Sequence, residues 1–312
     1  ITGDRVNGAA RWMTFFGIQF QPSELAKMAV IIVTAFILSK FQEEDNANPK
    51  AFKYIMWITG VVFILIAPEN GSTAALLFGV VFLMMVIGRV PWKQLAKLMG
   101  TVGVVVILFV GIVMVMPTHK LNKVPMMHRV ETWQNRIKGF FEDKEAVPAA
   151  KYDIDKDAQI AHANIAIASS NIIGKMPGNS VQRDFLSQAF SDFIFAIVCE
   201  ELGLIGALVL IALFILLIWR GFLIAKKAPD TFSALLVAGL TAKVGLQALL
   251  NIAVVTATIP TTGIALPFFS YGGTALVMQL AEMGIILSIS RFSSGERLKH
   301  ESNLSSERMP IS

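Results

Sequence analysis

Apolar residues run in long blocks at about residues 23–38, 52–67, 72–88, 99–116, 192–219, 232–258 and 275–290. Several approach or exceed the roughly 20 residues that a helix needs to cross a bilayer, and short charged segments separate them. The pattern predicts an all-α polytopic membrane protein with seven transmembrane helices. Four of them follow an outer re-entry segment within residues 1–116, a long extracytoplasmic loop fills 117–191, three more helices occupy 192–294, and a polar tail at 295–312 is expected to be disordered. The opening ITGDRVNGAARWM has no basic segment leading into an apolar one, so no signal peptide is read there. No repeat of fixed period is evident.

Composition agrees with this pattern. Of the 312 residues 54% are hydrophobic and only 16% charged, against roughly 25% charged in an average soluble domain. Mean hydropathy is +0.63, which argues against a soluble enzyme. The one cysteine, Cys199, lies inside an apolar run, and with four scattered histidines neither a disulfide framework nor a Cys/His zinc site can be assembled. The net charge of +5 does not point to nucleic acid, because the basic residues flank the apolar runs. Lys40, Lys50, Lys53, Arg89, Lys93, Lys97, Arg220, Lys226, Lys227 and the Lys/Arg of the tail fall on one set of connections, whereas the turns at 68–71 and 259–274 carry none. The basic set is therefore expected on the cytoplasmic side. The long loop holds ten Lys/Arg and eight Asp/Glu, but loops beyond roughly 60 residues are translocated largely regardless of charge. Residues 1–22, 68–71, 117–191 and 259–274 are then expected together at the outer face, where every unusual motif falls.

A charge near the bilayer centre costs roughly 2.5–3.5 kcal/mol on insertion scales, so each one inside an apolar run needs a reason. Glu24 and Lys27, three residues apart on one helical face, form either a structural pair or a substrate-facing one. Gln21-Pro22-Ser23-Glu24 also reads as a helix start. Lys243 and Glu282 are expected as an interhelical ion pair or as charges snorkelling to a surface. Ser191-Asp192 reads either as a helix N-cap or, with Glu200 and Glu201 some 12–14 Å deeper by helix rise, as a carboxylate that hydrophobic walls could tune into a general base.

In the long loop, Ile160–Ile173 is too short and too rich in Asn, Ser and His to span, and a helix lying in the interface is expected. A Gly/Pro/Asn turn and the basic-acidic pair Arg183-Asp184 come next. Arg129 and Arg136 could share a face around Trp133, attracting anionic lipid in general or clamping a lipid-linked phosphate. ALPFFSYGGTALV, with Ser270, Tyr271 and Gly272-Gly273, is compatible with a tight turn or with a broken helix lining a cavity.

Taken together, NGAARWM and FQPSELAK (7–13 and 20–27), PENGST (68–73), GNSVQRDFLSQAFSDFIFAIVCEELGLIG (178–206) and PFFSYGG (267–273) resemble the SEDS proteins, the shape, elongation, division and sporulation family that includes RodA and FtsW. The stretch GNSVQRDFL leans towards the FtsW branch. The resemblance implies ten transmembrane helices, of which the first three are not in this chain. It departs from the family at Pro68-Glu69-Asn70-Gly71-Ser72, where Pro-Asp-Leu-Gly-Thr is usual, and at Phe190-Ser191-Asp192, where His-Thr-Asp is usual. It further implies an inverting peptidoglycan glycosyltransferase of the bacterial cytoplasmic membrane that polymerises lipid II at the outer face, in division or elongation. A class B penicillin-binding protein and other divisome or elongasome membrane proteins would be its partners, with no nucleic acid. Asp192 aligns with the family's essential acid, and Glu24, Lys27 and Glu69 with its charged cavity positions. Arg129, Arg136, Arg183, Ser270 and Tyr271 are further expected to bind substrate. A divalent cation, Mg²⁺ or Mn²⁺ on Asp192 and Glu69, is the expected cofactor, with no organic one. The rival expectation is a lipid II flippase or other transporter, which intramembrane charges and broken turns suit as well.

Overall fold

The computed structural model describes the backbone of residues 4–6, 9–15, 18–44, 46–68, 70–115, 157–186, 189–260 and 262–307. Glu69, Arg129 and Arg136 lie outside the described residues. The body is helical: α1 (Pro22–Lys40), α2 (Pro49–Ile66), α3 (Gly71–Ile87), α4 (Trp92–Val115), α5 (Asp157–Ala168), a 3-10 turn (Gln182–Phe185), α6 (Ile194–Lys226), α7 (Thr231–Val255) and α8 (Gly273–Glu307). Ahead of it, strands β1 (Asp4–Val6), β2 (Ala9–Phe15) and β3 (Ile18–Phe20) form an antiparallel ribbon in the order β1-β2-β3, with Met13 opposite Phe20 and Phe15 opposite Ile18. Trp12-Met13-Thr14-Phe15 is the aromatic and β-branched composition that a pleated strand favours.

Among the described residues, α1, α2, α4, α6, α7 and α8 are long and apolar enough to cross a membrane, and α3 is a shorter apolar helix. The ends follow local chemistry. Pro22 and Pro49 stand in the first turns of α1 and α2, where a missing N–H costs nothing. Asn70 Oδ1 accepts from the Thr73 N–H at 3.1 Å, and Asp230 Oδ1 accepts from the Ser233 N–H at 2.8 Å. Each removes one orphan donor from a helix start. The Ser233 N–H and hydroxyl hold the Asp230 carboxyl below the usual aspartate range. The tail differs from its expectation, because α8 continues to Glu307. Extending a formed helix through Glu, Arg, Leu and Lys avoids the cost of nucleation.

Helix α7 is the most buried of the six long helices, packed by α1, α3, α6 and α8. One core joins α1, α2, α3 and α7 through Ile31, Leu38, Ile55, Leu77, Met84 and Leu240; a second joins α5, α6, α7 and the turn before α8 through Ala163, Phe195, Phe214, Val244 and Leu266. The α6–α7 contact is close because Gly221 meets the Thr241 side chain. In lipid such small-residue contacts matter most, since apolar burial by itself drives little association there. Ile64, Leu65, Ile107 and Trp219 project outwards, as lipid-facing side chains do.

The helix expected over Ile160–Ile173 is present as α5, but it starts earlier and stops at Ala168, and Asn171 turns into the left-handed region at φ 51°. The loop after α5 is bound up with an interruption in a membrane helix. Within α6, Gly203 sits at φ 69°, ψ −167°, so the backbone breaks there. Four backbone bonds from the preceding loop repair the break: Lys175 N–H to Glu200 C=O (2.9 Å), Met176 N–H to Glu201 C=O (2.9 Å), Leu204 N–H to Asn171 C=O (3.0 Å) and Ile205 N–H to Ile172 C=O (3.3 Å). A broken helix at membrane depth is tolerated only where such partners exist.

Gly203 has a conformation that only glycine adopts readily, and a side chain there would run into the Ile172 carbonyl and the Gly174 N–H. Gly203→Ala is therefore expected to destabilise the detergent-solubilised protein by about 1–3 kcal/mol or more. The check is its melting temperature; a value equal to that of the parent chain would contradict the break in α6.

Candidate active site

Asp192 lies half-buried two residues before α6. Its backbone is fixed from two neighbouring elements. Asn251 of α7, fully buried, donates through Nδ2 to the Asp192 carbonyl at 2.8 Å and to the Ile264 carbonyl at 2.7 Å. Ser270 donates to the Ser191 carbonyl at 2.5 Å and accepts from the Leu266 N–H at 2.6 Å, while the Tyr271 N–H donates to the Phe190 carbonyl at 2.7 Å. Gln247 Nε2 adds a bond to the Ala265 carbonyl at 2.9 Å. The 259–272 turn is thus stitched onto the start of α6. Asp192 Oδ2 faces Gly263, within 3.3 Å of where a Cβ on that residue would stand.

An apolar groove of about 540 Å³ is lined by Phe190 and Ile194, which flank Asp192 in sequence, and by Phe268, Phe269, Tyr271 and Leu276 among others; Asp192 itself is not part of the lining. Phe268 takes φ 64°, unusual for a bulky residue. Its N–H donates to the buried Gln279 Oε1 at 2.8 Å, one of the contacts that hold the strained backbone. Tyr271 is 86% exposed, so its ring is available at the rim. Ser270, expected to bind substrate, spends its hydroxyl on the two backbone ties.

A second constellation lies along α6. Glu200, fully buried, accepts from Lys175 Nζ at 2.6 Å, Ser180 Oγ at 2.5 Å, and the Val181 and Gln182 N–H groups at 3.2 Å each. Sequence spacing suggested a carboxylate two turns below Asp192 but not its partners, because no local periodicity relates Glu200 to a loop twenty residues earlier. Arg183, the next residue along, pairs loosely with Asp184 at 3.3 Å on the surface. His162 Nδ1 meets Gln182 Oε1 at 2.6 Å and its ring stacks on Phe185, which joins α5 to the 3-10 turn.

The third group is inside the bundle. Lys27 Nζ lies 2.7 Å from Glu24 Oε1, and Lys243 Nζ lies 2.5 Å from Glu282 Oε1; all four side chains are buried. The two pairs are within electrostatic reach of one another, giving two acids and two bases of zero net charge shared by α1, α7 and α8. The interhelical reading of Lys243 and Glu282 is the one observed. One oxygen of each carboxylate, Glu24 Oε2 and Glu282 Oε2, is buried without a hydrogen-bond partner. Of the two acids expected to hold Mg²⁺ or Mn²⁺, the structure describes Asp192, and no group of three or more His, Cys, Asp or Glu comes together among the described residues. Glu69, the other expected ligand, lies outside the described residues.

Removing one member of a buried pair strands the other. Lys243→Met is expected to cost about 3–5 kcal/mol by leaving Glu282 uncompensated, and Lys243→Met with Glu282→Leu to recover most of it. Thermal unfolding of the three proteins in one detergent checks this, and equal losses in single and double variants would contradict it.

The chain is 32% identical over 289 residues to the probable peptidoglycan glycosyltransferase FtsW of Geobacter sulfurreducens, covering 92% of this chain and 72% of that protein. It is 31% identical over 291 residues to stage V sporulation protein E of Bacillus subtilis, covering 92% and 73%. Its fold is similar to that of the rod shape determining protein RodA of Thermus thermophilus, at 23% identity and a TM-score of 0.58, over 93% of this chain and 72% of that one. It is also similar to a chain from a peptidoglycan synthase complex that coordinates polymerization and crosslinking, at 23% identity and a TM-score of 0.66, over 94% and 76%. Residues 1–295 match the FtsW/RodA/SpoVE family of cell cycle proteins, and the chain belongs to that family.

Proposed function

We propose that this chain is a peptidoglycan glycosyltransferase that polymerises lipid II at the outer face of the bacterial cytoplasmic membrane. The observation that carries the reading is the placement of Asp192: a half-buried residue whose backbone is held from α7 and whose neighbour Ser191 is held from the 259–272 turn, between Phe190 and Ile194, which line an apolar groove. Such a site suits a substrate with one polar, reacting end and one long apolar chain. The relatives named as peptidoglycan glycosyltransferases support it.

In this reading α3 is the seventh span. Its 17 residues extend about 25 Å, short of the roughly 30 Å hydrocarbon core by an amount that local thinning absorbs. The turns at 68–71 and 259–274 and the start of α6 then share the outer face, in accord with the basic residues on the opposite connections.

The reaction is attack by the 4-hydroxyl of one lipid II on the anomeric carbon of a second, diphosphate-linked glycan. The new C–O bond forms as the bond to the diphosphate breaks, with inversion, and the hydroxyl proton passes to Asp192. Negative charge develops on the leaving diphosphate. Lys27 is a candidate counter-charge: its ammonium carries three donors, of which Glu24 takes one. Arg183, Arg129 and Arg136 are further candidates from the long loop, and Glu69 is a further charged candidate. Tyr271 at the groove rim would contact the sugar or the first isoprene units. A divalent cation, if used, would take oxygens from Asp192, substrate and water; polymer yield undiminished in excess chelator would remove it from the reaction. A class B penicillin-binding protein as partner fits the structural likeness to a chain of a peptidoglycan synthase complex.

The protein reconstituted with that partner and labelled lipid II is expected to give glycan strands, and Asp192→Asn to lower polymer formation by on the order of 10²–10⁴-fold. Lipid translocation without polymer would favour the transporter instead. A further test separates the roles of the Glu24–Lys27 pair. Replacing both with Met and Leu should leave folding intact, since a buried ion pair often gains little over apolar packing. Loss of polymerisation in this double variant, matched by Lys27→Met alone, is the expected result; near-normal polymer yield would make the pair purely structural.

A further inference from the structure

Glu200 is a carboxylate taken completely out of water, and a buried charge is tolerated only when its partners are good. All of the donors described on its carboxylate come from one short stretch of the loop that precedes Asp192. Lys175 supplies the counter-charge, Ser180 the hydroxyl, and Val181 and Gln182 two successive backbone N–H groups. Ser180 Oγ in turn accepts from the Arg183 N–H at 3.1 Å, which sets the start of the 3-10 turn. Lys175 and Met176 also bond by backbone to Glu200 and Glu201 ahead of the break at Gly203, and Asn171 and Ile172, just before them, bond to Leu204 and Ile205 beyond it.

The topology gives these bonds a consequence. Asp192 lies in sequence between Ser180 and Glu200, so the Glu200 carboxylate closes the base of the segment that carries it. The far end of that segment is tied by Asn251, Ser270 and Tyr271 through the carbonyls of Asp192, Ser191 and Phe190. With both ends fixed, the place of the Asp192 carboxylate is determined by α6, α7 and the 259–272 turn together.

We propose that Glu200 is a positioning residue of the reaction: by clamping Lys175–Gln182 onto α6 it holds Asp192, and the turn bearing Arg183, where the substrate's hydroxyl and diphosphate come. This rests on the reading of Asp192 as the base. The clamp needs the charged acid. A neutral amide has one acceptor oxygen and turns an NH₂ group towards donors, so Glu200→Gln cannot accept the four bonds.

The test uses the full chain in proteoliposomes with its partner and lipid II, comparing Glu200→Gln, Lys175→Met and Ser180→Ala. Two readouts are taken: amide hydrogen exchange of the peptide spanning 175–185, and kcat, KM and the pH profile of polymerisation. Glu200→Gln is expected to speed exchange across Val181 and Gln182 and to lower kcat by on the order of 10–100-fold, the scale of a misplacement of about 1 Å. KM should stay within about threefold and the acid limb of the pH profile should keep its midpoint. Lys175→Met and Ser180→Ala, which each remove one donor, should show smaller changes in both readouts, and they decide the matter if Glu200→Gln fails to fold. Faster exchange with unchanged kcat would overturn the proposal, because the clamp would then not position the acid. Lost activity with unchanged exchange, or a shifted acid limb, would overturn it in favour of Glu200 touching substrate. Should Asp192→Asn polymerise normally, the functional reading falls and takes this role with it, whereas the exchange data would still report whether the clamp exists.

Discussion

Inside a bilayer a backbone polar group has no water to turn to, and that constraint organises this structure. An uninterrupted helix meets it alone. Helix α6 does not, because Gly203 breaks it, and the freed groups at 200–205 are satisfied only by loop residues 171–176. The loop is thereby drawn onto the helix, and its side chains arrive with it: Lys175 and Ser180 reach Glu200, and Gln182 reaches His162 of α5. The segment bearing Asp192 inherits its place from the same repair.

Charge inside the bundle obeys the matching rule for side chains. Two acids and two bases sit among α1, α7 and α8 as two close pairs, each carboxylate facing an amine. The Glu24–Lys27 pair is local, three residues apart on one helix, whereas Lys243–Glu282 bridges two helices. Packing around them relies on close small-residue contacts such as Gly221 against Thr241 rather than on expulsion of water.

The stitching of the 259–272 turn shows how rigidity is concentrated where Asp192 lies. Asn251 and Gln247 project from the most buried helix to hold the turn's carbonyls, and the strained Phe268 is held by Gln279 of α8. Strain that persists at such a spot is sustained by contacts from several elements, and Phe268, Phe269 and Tyr271 lie along the groove that Phe190 and Ile194 also line.

The sequence by itself determined the membrane class, the positions of the long apolar helices and the residues worth watching, because hydropathy, chain length and capping are local properties. It also carried the family resemblance, through motifs at Phe20–Lys27, 178–206 and 267–273. The charged pair on α1 was legible from its spacing of three. The strands of the N-terminal ribbon, the continuation of α8 to Glu307 and the early end of α5 were not, since each depends on what the neighbouring backbone bonds to. Nor could the sequence reveal that Glu200 is a clamp or that Ser270 ties the Leu266 N–H to the Ser191 carbonyl. Those roles exist only once distant segments share one buried place, where a polar group must take whichever partner the fold brings within reach.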